Sequence, residues 1–153
     1  MSTPNIKALD LTQRPPRSAR VRLGGCAVLP RMLDKGRATL AGKNGEYNFN
    51  CGLDQRVLNF LGIEAEALKT QLAAGKGDAE ILEWIQANSK TKPSEWETAQ
   101  WSDFMAARGP GSDPDTLKYF SDSVAKIAKG RDDINGFADL LDLDDYVSFG
   151  GAA

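Results

Sequence analysis

The sequence predicts an all-α fold: a compact single-domain bundle of six to seven short helices, with an extended N-terminal strap and one minimal two-stranded ribbon. Three observations predict it. Apolar residues recur at helical spacing from residue 53 onward. Gly and Pro punctuate that pattern into short segments, and alternation of period two is confined to the brief stretches "ARVRL" and "EYNFNC". A chain of 153 residues is the size of one domain and can bury roughly 68–70% of its unfolded surface. It needs no disulfide scaffold, and the ends, 1–13 and 148–153, are expected to be loose.

The front begins extended. Pro15 and Pro16 fix φ and disfavour helix before them, and Gly24-Gly25 break the chain again. A helix is expected from near Pro30 to Ala41, with Leu29, Leu33 and Leu40 on one side and Gly42 as its stop. Tyr47, Phe49 and Cys51 alternate with Asn48 and Asn50 as a half-buried extended segment, which could pair with "ARVRL".

Leu53, Val57, Leu58 and Leu61 then form one stripe, and Ala65, Leu68 and Leu72 a second. Asp78 reads as the N-cap of a helix carrying Ile81, Leu82 and Ile85, with Trp84 beside that stripe. A helix over 94–108 brings Trp96, Trp101, Phe104 and Met105, expected as core. After the loop "GPGSDP", a helix over 115–129 carries Leu117, Phe120, Val124 and Ile127, and a last one over 136–143 carries Phe137, Ala138 and Leu141.

Composition narrows the chemistry. There is no histidine, which removes the usual general base, the usual partner of a Ser or Cys nucleophile and the commonest zinc ligand. Remaining chemistry belongs to carboxylates, Lys, Tyr and Cys; no cofactor or protein-held metal is expected. Cys26 and Cys51 form no Cys-x-x-Cys pair, the first residues hold no basic segment leading into an apolar run, and nowhere do about 18 apolar residues run together. The expected location is cytoplasmic.

The net charge of -2 conceals a strong asymmetry. Residues 1–43 hold nine Lys and Arg against two acids, and the remainder holds ten against nineteen. The basic front and the acidic back are thus complementary to each other before they are complementary to a partner.

Apparent motifs fail on spacing. "GRATLAGKN" has five residues, not four, before its Gly-Lys pair, and Asn44 stands where a P-loop needs Ser or Thr. "RDDINGFADLLD" places Asp133, Asn135, Gly136 and Asp139 as a calcium loop would, but Arg131 occupies the first ligand position. Asp139, Asp142, Asp144 and Asp145 read first as a solvated helix end or as partners for the basic front.

At "LDLTQRPPRSARVRLGG", "LPRMLDKGRATLAGKNGEYNFNCGLDQRVLNFLGI", "DAEILEWI" and "RDDINGFADLLDLDD", the chain resembles a family of small bacterial proteins catalogued as a domain of unknown function. The resemblance covers nearly the whole chain and is strongest over 9–63. It implies that the arginine-rich front is part of the domain and supplies no activity. One departure is visible: the family's Cys-Pro-Leu-Asp is here Cys51-Gly52-Leu53-Asp54.

The function favoured by the residues is a small binding or interaction module. Arg14, Arg17, Arg20, Arg22, Arg31 and Lys35 would grip an anionic small molecule or an acidic protein surface, with Tyr47, Asn48, Asn50 and Asp54 alongside. The alternative is a histidine-free enzyme with Asp34, Glu46 or Asp54 as acid or base and Tyr47 or Cys51 as helper. Nucleic acid is disfavoured by the net acidity and by arginines that alternate with Val21 and Leu23. No membrane partner is expected, and the oligomeric state is left open.

Overall fold

The computed structural model describes residues 5–153. Among them are seven helices: α1 (Leu29–Leu40), α2 (Gly52–Leu61), α3 (Ala65–Ala73), α4 (Asp78–Asn88), α5 (Glu95–Ala107), α6 (Pro114–Ala128) and α7 (Phe137–Ser148). The ribbon is β1 (Arg22–Leu23) paired antiparallel with β2 (Cys26–Ala27). The fold is all-α, as the periodicity predicts.

The ribbon exists but with a different partner from the one expected. Gly24 and Gly25, at φ 58 and 78, supply the two left-handed residues of a tight hairpin. That local closure costs less chain entropy than pairing across an intervening helix. Residues 47–51 do alternate half-buried and exposed, yet they form turns and pair with no strand.

α1 is the central helix. Leu29, Met32 and Leu33 are wholly buried in the main core with Val57, Leu68, Leu72 and Ile81. Its entry is strained: Val28, a β-branched residue, sits at φ 71, held by donating its N–H to Ala19 O at 2.9 Å and accepting Met32 N–H at 3.0 Å. Gly36 lets α3 approach closely, since a Cβ there would lie 2.6 Å from Leu72 Cδ1.

Charge organises the same helix. Arg31 pairs with Asp145 on α7, Asp34 with Arg17 of the strap, Lys35 with Asp54 on α2, and Arg37 with Asp78 on α4. Four successive ionic residues of one helix therefore tie down four different segments. The strap follows suit: Arg17 also reaches Asp78, Arg20 pairs with Asp139 and Asp142, and Arg22 with Asp103. The basic front is matched by the acidic back.

Several sequence expectations need correction. Asp78 is not the cap of α4; Gly77 occupies that position, its N–H donated to Glu80 Oε1 at 3.2 Å, while the Asp78 carboxylate is engaged by Arg17 and Arg37. Trp96 and Phe104 are not core, at 67% and 58% exposed. The inward face of α5 is instead Thr98, Trp101, Ser102 and Met105, with Trp101 stacked on Phe60 at 4.6 Å. Two polar residues stand in that stripe with their hydroxyls satisfied: Ser102 Oγ accepts the Ala27 N–H and donates to Gly25 O, both at 2.9 Å, and Thr98 Oγ1 donates to Ser94 O at 2.9 Å.

Leu117 is exposed, and α6 packs through Phe120, Val124 and Ile127 onto Leu140 and Phe137 of α7 as a second cluster. α7 itself runs to Ser148, one turn beyond expectation, because Asp145 is drawn inward to Arg31. Of the N-terminal stretch expected to be loose, 1–4 lie outside the described residues; Leu11 is buried and its N–H bonds Lys43 O at 2.8 Å. No helix among the described residues is long and apolar enough to cross a membrane.

Candidate functional site

The packing leaves a cleft of about 1030 Å³ where the 45–53 turn, the exposed side of α1, the start of α2, the end of α5 and α7 meet. Its apolar wall is Leu53, Phe137, Leu140, Leu141 and Phe149, with Tyr119 at the side. Its polar wall carries Arg31, Lys35, Arg56, Arg108, Tyr47, Asn48 and Cys51, together with the exposed carboxylates Glu46 and Asp144. Such a mixture of apolar lining and a few converging polar groups is the usual form of a small-molecule site.

Arg31 enters this wall already neutralised. Its guanidinium makes a forked contact with Asp145, at 2.8 and 3.2 Å, and lies over the Tyr47 ring at 5.5 Å. The Tyr47 hydroxyl donates to Asp145 Oδ1 at 2.8 Å. Burial, then this hydrogen bond to a carboxylate, pushes the Tyr47 hydroxyl well above its ordinary pKa. Tyr47 is therefore a neutral hydrogen-bonding group at the cleft and a poor base.

Lys35 is buried and points at two groups. Its Nζ lies 3.0 Å from Asp54 Oδ1 and donates to Cys51 Sγ at 3.2 Å. Asp54 is fully buried behind it. Its Oδ2 accepts the Asn50 N–H at 2.9 Å, while Oδ1 has the ammonium's charge beside it but no hydrogen bond of good angle. Cys51 is the N-cap of α2 and its carbonyl accepts the Gln55 N–H at 2.9 Å. Asn50, at φ 65, takes the left-handed turn that an Asn tolerates better than most residues. That turn delivers Cys51 to the cleft.

Arg56 and Arg108 differ from every other cation of the wall. Among the described residues neither forms an ion pair. Arg108, stacked 4.3 Å over the Phe137 ring, has its pKa pushed down, first by burial and then by the charge of Arg56. Two guanidiniums thus face one concavity and repel each other.

The cleft gathers Arg31, Lys35, Tyr47 and Asn48 of the expected binding set, and Glu46 and Cys51 of the expected chemical set. It does not gather the strap. Arg14 is exposed elsewhere; Arg17, Arg20 and Arg22 are engaged by carboxylates away from the cleft; Asn50 and Asp54 support the site from behind; Asp34 is held by Arg17. Arg56 was legible only as a charge near Cys51, one turn along α2. Arg108, at the end of α5, carried no pattern that marks it.

A family model described as "Domain of unknown function (DUF5069)" matches residues 13–147, and the chain belongs to that family. No curated protein matches it.

Proposed function

We propose that this member of the family is a small cytoplasmic binding protein whose cleft holds an organic anion, a carboxylate or phosphate attached to an apolar body. The observation that carries this reading is the pair Arg56 and Arg108, which lack carboxylate partners among the described residues and line the same cleft. An anion placed between them relieves their mutual repulsion and receives forked, charge-assisted hydrogen bonds. Leu53, Phe137, Leu140 and Phe149 supply the surface for the apolar part.

An acidic protein partner has less to hold, because Arg17, Arg20 and Arg22 are already engaged by the chain's own carboxylates. Both cysteines are free, which supports a reducing compartment.

A thermal-shift screen at low salt with phosphate, dicarboxylates, aromatic carboxylates and nucleotides tests the reading. A ligand at about 100 times its Kd adds about 2.7 kcal/mol of stability, and Arg56→Ala combined with Arg108→Ala removes the response. No shift with any anion, or a shift that survives the double substitution, overturns it.

A further inference from the structure

The arginine cleft has a nucleophile in its wall. We propose that Cys51 attacks electrophiles bound there, with Lys35 as the positioning residue that holds charge against its sulfur. The substrate class, an electrophile bearing a carboxylate or phosphate, rests on the anion reading of the same cleft. Four observations converge. Cys51 lines the cleft and is only half-buried, so substrate and water reach it. The Lys35 ammonium donates to its sulfur at 3.2 Å. Asp54, wholly buried, fixes that ammonium from the far side at 3.0 Å. Cys51 also occupies the N-cap position of α2, at the positive end of the helix.

The other thiol shows what such a residue looks like when it is structural. Cys26 is buried in the main core and burial pushes its thiol up to about 12, so it stays protonated and inert. Cys51 has the opposite surroundings: a cation in contact, arginines nearby and an open approach.

In the reaction the sulfur loses its proton to water. The sulfur electron pair then forms the S–C bond. The bond from that carbon to its leaving group breaks, and the group departs with the bonding pair. No redox partner is required. Arg56 and Arg108 hold the anionic end of the substrate and orient the carbon toward sulfur.

Alkylation of the full chain by iodoacetate and iodoacetamide, read by peptide mass mapping, tests both elements. Iodide is the leaving group in each, and glutathione is the reference thiol. At low salt, Cys51 is expected to react with iodoacetate at least about tenfold faster than glutathione does, through charge focusing in the cleft, and Cys26 not at all. Iodoacetamide, which is neutral, should also react faster at Cys51 than at glutathione, by a smaller factor.

Cys51 reacting no faster than glutathione with both reagents overturns the nucleophile, even if the thermal-shift screen finds an anion. Fast reaction without preference for iodoacetate leaves the nucleophile standing and overturns the anionic substrate class. The Lys35→Gln/Asp54→Asn variant removes both buried charges together; when folded, it should alkylate more slowly and move the pH–rate profile to higher pH. An unchanged profile overturns the role of Lys35, and the rates on the unsubstituted chain decide the role of Cys51 whether or not that variant folds.

Discussion

Asp145→Asn is the sharpest test of how the fold is held. Arg31 and Asp145 are 4% and 9% exposed and meet at 2.8 Å, so water screens them little. Asn keeps the shape of the side chain and removes its charge, leaving the Arg31 guanidinium buried without compensation. Breaking a buried pair from one side costs about 3–5 kcal/mol, against a total stability of about 5–15 kcal/mol for a domain. In a chain of this size that is about 10–20 °C in Tm. Urea unfolding should show the midpoint falling with an unchanged m-value.

Removing both charges, with Arg31→Met and Asp145→Leu, should recover most of the loss, because no uncompensated ion remains. In Asp145→Asn the amide oxygen still accepts the Tyr47 hydroxyl; in the double variant that acceptor is lost, but Tyr47 is half-buried and its hydroxyl can turn to water. A loss below about 1 kcal/mol for Asp145→Asn, the range of exposed pairs, would refute the reasoning. So would a double variant no more stable than the single one.

Ser102→Ala strips the side-chain acceptor from the buried Ala27 N–H; a loss of about 1–3 kcal/mol by urea unfolding is expected, and a loss below about 0.5 kcal/mol would mean that water replaces the hydroxyl. For Cys26, whose thiol is pushed by burial from 9.0 to about 12, the folded state keeps its proton longer than the unfolded chain, so its contribution is complete below pH 9 and is lost as pH rises toward 12. Stability should fall by about 1.4 kcal/mol per pH unit across that window from this group, and Cys26→Ala should flatten the slope by one proton; equal slopes in the two proteins would exclude the effect.

Much of this fold was legible because helix stripes, prolines and glycines act locally. The stripes at 53–61 and 65–72 and the helices expected over 94–108 and 115–129 all depend on residues within a turn or two of each other. The ribbon partner failed where two local signals competed, and the Gly24-Gly25 hairpin won by its short closure. Trp96 and Phe104 failed because hydrophobicity was taken as direction. α5 turns Ser102 inward because the β1–β2 hairpin offers it hydrogen bonds, while Thr98 satisfies its hydroxyl on the Ser94 carbonyl one turn back, and no pattern in the α5 sequence announces a partner on another segment.

The arginines of "RPPRSARVRLGG" invite a functional reading in the sequence because they are clustered, and clustering is what a one-dimensional view can detect. In three dimensions Arg17, Arg20 and Arg22 find carboxylates on α1, α4, α5 and α7, and their charge goes into fixing the strap. What distinguishes a binding cation is a missing internal partner, a property that belongs to a pair of residues and not to a run of them. Arg56 and Arg108 are separated by fifty-one positions of chain, and they meet only because α2 and the end of α5 border the same cleft. The matched charges of the front thus set the walls in place, and the unmatched charges of two later helices are left facing the space between those walls.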